Sequence, residues 1–271
     1  MPEFLHADDA RIAYERVGQG PPLVLMHGAE ASRQMFAALV PLLAGRFTVI
    51  AYDQRDCGET EAPPRAATLA DLAADAAALI RGVAGGRAHV FGSSFGGRVA
   101  QALALLHPGC VDRLVLASTW PLPHAYEALY PEGAAGIAAL RARLPDSAEE
   151  LAGWFFPEPF LRERPELRRV FATARADTER SRRRAQTVKS TLQCSSGAIA
   201  RSPTLVIAGD LDRVVPPQLT MQLADAIPGC ERRMLPGIGH VSVMQAPEQV
   251  AAALTDFLLI PTMEATHAGR R

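Results

Sequence analysis

The sequence has few lysines, few aromatic residues and almost no net charge. Lys189 is its only lysine, so the 28 basic residues are nearly all arginines, and 29 acidic residues balance them to a net charge of −1. A chain without an excess of positive charge does not attract nucleic acid or an anionic membrane surface. We therefore expect a small-molecule substrate as its partner, no nucleic acid and no membrane, and the sequence leaves a homodimer open.

Cysteine is also scarce, and its placement argues against two common kinds of site. The four cysteines lie far apart, without a C-x-x-C pair or a histidine cluster beside them: Cys57, Cys110, Cys194 and Cys230. This spacing predicts neither a zinc site nor a redox dithiol. No apolar stretch reaches the roughly 18 residues that a membrane-spanning helix needs, and the first residues lack a basic segment followed by an apolar run. We expect free thiols and a cytoplasmic protein.

Short β-branched or leucine-rich runs alternate with longer segments that have helical spacing. The predicted strands are Arg11–Val17, Leu23–Met26, Phe47–Tyr52, Ala88–Phe91, Arg113–Ala117, Thr204–Ala208 and Glu231–Leu235. The predicted helices are Ser32–Leu43, Thr68–Val83, Phe95–His107, Pro217–Ile227 and Pro247–Leu259. The later strands are nearly continuous apolar runs, which is typical of strands buried on both faces of a parallel sheet. The alternation predicts a three-layer α/β sandwich.

One long stretch interrupts this alternation. Residues 120–196 contain helical patterning and seven prolines but no convincing strand, so we predict an inserted helical lid there. The 271 residues suit one large domain carrying such an insertion. We therefore assign residues 1–119 and 197–260 to the core, and we predict a disordered tail at 261–271 because this segment lacks apolar periodicity.

A glycine-rich segment marks a candidate nucleophile. It contains the pattern G-x-S-x-G centred on Ser94 and lies between a predicted strand and a predicted helix. Small residues two positions before and after the serine allow a sharp turn, which places Ser94 Oγ above the sheet at a helix N-terminus. Ser93 is not the centre, because Phe91 occupies the position of its first glycine. The alternative for this pattern is an ordinary glycine-rich turn.

A serine hydroxyl needs a base, and a neutral imidazole is the usual one. Among seven histidines, His240 lies in a loop between the last predicted strand and the terminal helix, so we choose it as the base. Two aspartates, Asp210 and Asp212, follow the predicted strand 204–208, at the edge where α/β sheets place catalytic groups. We choose Asp212 to hold the imidazole, because Asp210 is better placed for hydrogen bonds to the turn backbone.

An anionic intermediate also needs preorganised hydrogen-bond donors. The loop 27–30, with the sequence His-Gly-Ala-Glu, directly follows a predicted strand. We predict that the backbone N–H groups of Ala29 and Phe95 form an oxyanion hole. In this prediction His27 orders the loop and is not a base, and Glu30 faces either the pocket or solvent.

The predicted lid concentrates many of the aromatic residues of the chain. These rings either line an apolar pocket or pack the lid onto the sheet. The predicted pocket residues are Gly28, Glu30, Trp120, His124 and Trp154. Nine arginines lie between positions 162 and 184. Such a run predicts a solvated helix face, with a carboxylate-binding pocket as the alternative.

The order of these motifs resembles that of α/β-hydrolase fold enzymes. The matching features are His27-Gly28, the loop Asp53–Gly58, the turn Gly92–Gly97, and Asp212 with His240, within about residues 10–119 and 200–258. The resemblance implies an α/β-hydrolase fold, with a mostly parallel central sheet, flanking helices and an inserted helical lid. The core is most similar to single-domain esterases and lactonases, including 3-oxoadipate enol-lactonases. The family usually has glycine in place of Asp56, and we expect the turn to survive because aspartate tolerates a left-handed backbone.

The candidate residues and the resemblance together imply a serine hydrolase. We expect it to cleave a small or medium carboxylic ester or lactone through an acyl-enzyme on Ser94, without a metal or an organic cofactor. Haloalkane dehalogenases and epoxide hydrolases of this fold use an aspartate nucleophile, so those activities are disfavoured. Carbon–carbon bond hydrolases and lyases of this fold keep the serine, and a non-catalytic ligand-binding protein keeps the fold alone. Both alternatives stay open on the sequence.

Overall fold

The computed structural model describes residues 1–172, 178–194 and 201–260, and its centre is an eight-stranded sheet. The strands are β1 Glu3–Ala7, β2 Ala10–Val17, β3 Pro22–Met26, β4 Thr48–Tyr52, β5 Ala88–Ser93, β6 Val111–Ala117, β7 Thr204–Gly209 and β8 Glu231–Leu235. Their order across the sheet is β1-β2-β4-β3-β5-β6-β7-β8. Among these strands only β2 runs against the others. The mostly parallel sheet predicted from the sequence is confirmed.

Helices cover both faces of this sheet. The helices are α1 Val40–Leu43, α2 Leu69–Val83, α3 Phe95–Leu106, α4 Tyr126–Leu129, α5 Pro131–Ala142, α6 Ala148–Phe155, α7 Glu158–Glu163, α8 Glu166–Ala172, α9 Glu179–Val188, α10 Pro217–Asp225, α11 Ser242–Gln245 and α12 Pro247–Leu258. Successive strand residues point to opposite faces. Val24 and Met26 therefore pack with α2, α3 and α10, whereas Leu23 and Leu25 pack with α1 and α12. The result is three layers with an apolar core on each side of the sheet.

Two of the elements differ from the sequence-based prediction. The predicted helix Ser32–Leu43 is a 3₁₀ turn at Arg33–Phe36 followed by the four-residue α1. Pro41 explains the break, because its ring and its missing N–H prevent a helix from running through it. The strand β1 was not predicted. It pairs only with β2 at the sheet edge, and most of its side chains are exposed or half-buried, so no apolar run marks it.

A helical segment separates β6 from β7, in the stretch where the sequence predicts a lid. We use the name insertion for its described residues, 120–172 and 178–194, which contain the six helices α4 to α9. Prolines stand in the first turn of α5 and α7, where a missing N–H costs no helical hydrogen bond. The insertion packs through Trp120, Ile137 and Leu140 against Val214 and Val215, which follow β7.

No helix of the described chain is long and apolar enough to cross a membrane. The predicted disordered tail, 261–271, lies outside the described residues, as do residues 173–177 and 195–200.

Candidate active site

Ser94 lies at the sharp turn between β5 and α3. Its φ of 55° and ψ of −121° are values that non-glycine residues rarely adopt. The turn depends on close backbone approaches at two glycines. A Cβ on Gly92 would lie 2.4 Å from the carbonyl oxygen of Gly96, and a Cβ on Gly96 would lie 2.1 Å from that of Met26. The strained turn leaves Ser94 half-buried at the carboxyl edge of the sheet.

Ser94, His240 and Asp212 form a hydrogen-bonded line. Ser94 Oγ is 3.0 Å from His240 Nε2, and His240 Nδ1 is 2.9 Å from Asp212 Oδ2. Asp212 Oδ1 also accepts the N–H groups of Val214 and Val215, at 2.9 and 2.8 Å. With Nδ1 donating to the carboxylate, Nε2 is left to accept the serine proton. The fold thus brings together three residues that the sequence placed in three separate loops.

The two N–H groups predicted to form an oxyanion hole are both available. Phe95 is the first residue of α3, so its N–H has no acceptor within the helix. Neither this N–H nor that of Ala29 finds a hydrogen-bond acceptor among the described residues. Gly28 lies beside the serine, because a Cβ built on it would be 3.7 Å from Ser94 Cβ. Free donors beside the hydroxyl suit an oxygen on which negative charge develops.

Side chains hold every carbonyl group of the loop 27–29. Gln54 Nε2 donates to His27 O at 2.7 Å, His27 Nδ1 donates to Gly28 O at 2.8 Å, and Arg184 Nε donates to Ala29 O at 2.6 Å. His27 Nε2 accepts the N–H of Gln54 at 3.0 Å, which fixes the neutral tautomer. Burial and the charge of Arg184 lower the pKa of His27 to about 3. His27 therefore stays neutral near pH 7 and orders the loop.

The prediction of a solvated arginine face is wrong for one side of α9. Arg184 is only 4% exposed, while Arg183 donates to Asp56 Oδ1 at 2.7 and 3.1 Å, and Arg180 donates to Gly58 O at 2.8 Å. These residues recur at helical spacing, so one side of α9 faces the loop after β4. The exposed arginines of the run in the described chain are Arg162, Arg164, Arg169, Arg180 and Arg182, of which Arg180 still contacts the loop after β4. Arg175 and the neighbouring Asp177 lie outside the described residues.

Asp56 stands where the family usually has glycine, and its contacts show what the aspartate adds. Its φ is 60°, so the left-handed turn is present, as the sequence predicted. Its side chain is nearly buried and forms the ion pair with Arg183. A glycine would allow the same turn but would leave this arginine without its carboxylate.

The aromatic residues predicted for the pocket lie in the insertion. Trp120 is buried, and its ring packs against Tyr126 at a centroid distance of 5.3 Å. Tyr126 OH in turn donates to the carbonyl oxygen of Val214, beside the Asp212 loop. Trp154 is half-buried, with the guanidinium of Arg213 4.9 Å from its ring centroid. These rings therefore pack the insertion onto the loop that carries Asp212, the second of the two alternatives left open by the sequence.

The remaining two predicted pocket residues are at the surface. His124 is exposed. Glu30 forms a bidentate ion pair with Arg141 of α5, with O···N distances of 2.7 and 2.6 Å. This pair joins the insertion to the loop 27–30. Among the described residues, no group of three or more His, Cys, Asp or Glu side chains is placed to hold a metal ion.

Sequence reasoning missed two residues that contact the candidate site from the insertion. One is Arg184, and the other is Phe155, at the end of α6. The carbonyl oxygen of Phe155 accepts the N–H of His240 at 2.9 Å. A Cβ on Gly239, the residue before His240, would lie 2.7 Å from that oxygen, so the close approach of the two backbones requires glycine. The Gly-His pair at 239–240 was the available signal for a close contact at this point.

Comparisons with known proteins agree with this fold. The sequence profile of the family described as alpha/beta hydrolase fold matches residues 21–247. A protein of Caulobacter sp. (strain K31), provisionally named carbamate hydrolase RutD, is 30% identical over 262 residues, covering 90% of this chain and 95% of that protein. A solved hydrolase from Pseudomonas aeruginosa PA01 is 31% identical with a TM-score of 0.76, covering 96% of this chain and 98% of that one. A thermophilic esterase from Thermogutta terrifontis is 26% identical with a TM-score of 0.78, covering 95% and 98%.

Proposed function

This chain belongs to the α/β-hydrolase family and is a hydrolase of that fold, and we propose that it cleaves a small or medium carboxylic ester or lactone through an acyl-enzyme on Ser94. The observation that carries the proposal is the Ser94–His240–Asp212 line, with contacts of 3.0 and 2.9 Å. A hydroxyl, an imidazole and a carboxylate in this arrangement supply the nucleophile, the base and the group that orients the base.

The first half-reaction acylates the serine. His240 Nε2 takes the proton from Ser94 Oγ as this oxygen attacks the carbonyl carbon of the substrate. The carbonyl electron pair moves onto oxygen, where the N–H groups of Ala29 and Phe95 stabilise it. Asp212 stabilises the imidazolium. His240 then gives its proton to the leaving oxygen, the ester C–O bond breaks, and the alcohol departs.

The second half-reaction releases the acid. His240 removes a proton from a water molecule as the water oxygen attacks the acyl-enzyme, and the same two N–H groups hold the second oxyanion. The bond to Ser94 Oγ then breaks and His240 returns the proton to that oxygen. The products are a free carboxylic acid and the original enzyme. A lactone yields one hydroxy acid by the same two steps.

The apolar ring beside His240 favours an apolar acyl group. The Phe155 ring packs on His240, while Trp120 and Tyr126 pack the insertion onto the loop that carries Asp212. Burial raises the pKa of Tyr126, so its hydroxyl stays neutral at physiological pH. Apolar surface with a few polar groups is the usual lining of a small-molecule site.

A carbamate is the second candidate substrate. The observation that favours it is the 30% identity with the protein provisionally named carbamate hydrolase RutD, over 90% of this chain. Attack by Ser94 on the carbonyl of a carbamate ester would expel the alcohol and leave a carbamoyl-enzyme. Water would release it as a carbamic acid, which loses carbon dioxide to give an amine. The two candidates share the nucleophile and differ in product, so one product assay separates them.

The proposal is tested by labelling purified protein with a fluorophosphonate probe and by following hydrolysis of p-nitrophenyl acetate and butyrate. Wild type is expected to label and to turn over, and Ser94→Ala is expected to lose the label and at least about 10³-fold in kcat. Ser93→Ala is the matched control, because Ser93 is the preceding buried serine of β5 and should keep both activities. Labelling of the Ser94→Ala protein would disprove the assignment of Ser94 as the nucleophile.

Two further outcomes address the alternatives. A wild-type protein that neither labels nor turns over would favour a non-catalytic ligand-binding protein. If the wild type is active, the products from candidate natural substrates separate the catalytic alternatives. A free acid with an alcohol supports the proposal, whereas an aldehyde or ketone supports carbon–carbon or lyase chemistry.

A further inference from the structure

We infer that Arg184, carried by the insertion, is a positioning residue for the oxyanion hole. The inference rests on the proposed function of Ser94 and deepens it. Arg184 touches both residues whose N–H groups are assigned to the hole. Its Nε donates to Ala29 O at 2.6 Å, and its guanidinium carbon lies 4.9 Å from the centroid of the Phe95 ring.

The surroundings of Arg184 are unusual for a buried arginine. Its hydrogen bonds in the described chain go to neutral oxygens, namely Ala29 O, Gln54 Oε1 at 2.9 Å, and Gly28 O and Arg55 O at 3.5 Å each. A buried cation without a carboxylate partner is expensive. A hydrophobic side chain would fill the same space at lower cost, so the charge and the fork of donors indicate a role beyond packing.

The geometry of the peptide group connects these bonds to catalysis. The Gly28 C=O and the Ala29 N–H belong to one planar trans peptide and point in opposite directions. His27 Nδ1 at 2.8 Å and Arg184 at 3.5 Å both donate to that carbonyl oxygen, and they thereby fix the direction of the N–H. Arg184 Nε fixes the next peptide through Ala29 O. The peptides on both sides of Ala29 are therefore held.

Donation to a carbonyl oxygen also polarises the N–H of the same peptide, because hydrogen bonds in a chain strengthen one another. The positive charge of Arg184 acts in the same sense, since a buried cation favours an oxyanion in a medium of low dielectric constant. Orientation, polarisation and charge all favour the anionic intermediate over the neutral ester.

The insertion holds α9 at the position that this role requires. Arg183 pairs with Asp56, Arg180 donates to Gly58 O at 2.8 Å, and the Ala67 N–H donates to Thr187 Oγ1 at 2.9 Å. Arg184 is the one residue of this docked side that reaches the loop 27–29 among the described contacts. The catalytic loop of the core is thus completed by a side chain of the insertion.

The kinetic test compares Arg184→Met with Arg182→Met, which changes an exposed arginine of the same helix. Both remove one guanidinium from α9, but only the first removes contacts to the loop. For p-nitrophenyl butyrate, Arg184→Met is expected to lower kcat about 10- to 100-fold and to change KM by less than about threefold. The loss of kcat should not exceed the loss caused by removing an oxyanion-hole donor, because the Ala29 N–H is displaced but still present. Affinity for an alkyl boronic acid, whose tetrahedral adduct places an oxygen in the hole, should fall by a similar factor. Arg182→Met should stay within about threefold of wild type in both.

A conservative variant and a structural measurement keep the test decisive. Arg184→Lys keeps the charge but not the planar fork, so it should recover only part of kcat, and it replaces Arg184→Met if that protein fails to fold. Crystal structures of the variants should show the peptides 28–30 rotated or displaced, with Ser94, His240 and Asp212 in place. Unchanged kcat, boronate affinity and loop position in Arg184→Met would overturn the inference.

The structural measurement also separates this inference from the proposed function. If wild type hydrolyses no ester, the proposed function fails, and the loop position in the Arg184 variants still decides whether Arg184 holds the loop. If wild type is active and the variants lose thermal stability while kcat and boronate affinity remain, Arg184 is only a packing residue and the inference fails.

Discussion

Asp210 and Asp212 are two residues apart, yet their carboxylates support different parts of the His240 loop. Asp212 is 4% exposed and accepts from His240 Nδ1 at 2.9 Å. Asp210 is exposed, and its Oδ1 accepts the N–H of Gly237 at 2.7 Å. One aspartate therefore holds the imidazole, and the other holds the backbone three residues before it.

This division of roles predicts unequal effects of the same substitution. Asp212→Asn should lower kcat about 10⁴-fold, because an amide favours the wrong imidazole tautomer and cannot stabilise the imidazolium. Asp210→Asn should lower kcat by less than about fivefold, because an amide oxygen can still accept the Gly237 N–H. Steady-state hydrolysis of p-nitrophenyl butyrate measures both. Equal losses in the two variants would contradict the assignment.

Phe155 supports His240 from the insertion and gives a second prediction. Its ring meets the imidazole edge-on, with centroids 5.7 Å apart and an interplanar angle of 74°. Phe155→Ala keeps the backbone bond to His240 but removes this contact, so kcat should fall about 10-fold as the imidazole loses its fixed orientation.

Phe160→Ala is the control for Phe155→Ala. Phe160 packs on Phe156 at 5.4 Å within the insertion, and no ring contact joins it to His240 in the described chain. Both variants should lose stability through lost packing, by about 1 to 3 kcal/mol for a half-buried ring, as measured by urea unfolding. Only Phe155→Ala should lose kcat, and an equal loss in both would point to general softening of the insertion.

Some of these features could be predicted from the sequence, and others depend on tertiary packing. The buried strands are continuous apolar runs, and the turn at Ser94 needs glycines at fixed positions, so local pattern identifies both. The choice of Asp212 followed from its place deeper in the loop. Arg184 could not be found in this way, because nine similar arginines share the run and only the docking of α9 turns this one inward. The strand β1 was missed because an exposed edge strand carries no apolar pattern.

Two glycines test the steric account of the turn at Ser94. A Cβ on Gly96 would lie 2.1 Å from Met26 O and 2.6 Å from His27 O, whereas a Cβ on Gly153 would meet nothing within 4 Å. Gly96→Ala should therefore destabilise the fold by about 3 kcal/mol or more, because two backbone segments must separate. Gly153→Ala in α6 should stabilise it by about 0.5 to 1 kcal/mol, because alanine favours a helix. Urea unfolding of both variants at one pH checks the pair, and a stable Gly96→Ala would disprove the close approach.

The buried, neutral His27 predicts a pH dependence of stability. Its pKa is lowered from 6.5 to about 3 in the folded chain, first by burial and then by the charge of Arg184. As pH falls below 6.5, the unfolded chain takes up a proton on this ring and the folded chain does not, so the free energy of unfolding decreases. The contribution of His27 is complete above pH 6.5 and is progressively lost towards pH 3.

His27→Asn isolates this effect, because the amide can donate to Gly28 O in place of Nδ1 but does not titrate. Wild type should be the more stable protein at pH 7.5, and its advantage over the variant should shrink by about 2 kcal/mol at pH 5.0. Urea unfolding of both proteins at the two pH values measures the difference, in which the carboxylates common to both chains cancel. An advantage that does not change between these pH values would mean that His27 takes up its proton at the same pH in the folded chain as in the unfolded chain. At pH 5.0 the protonated Nε2 could not accept the backbone N–H of Gln54. The carbonyl groups of the loop 27–29 would then be held by the side chains of Gln54 and Arg184 and by His27 Nδ1.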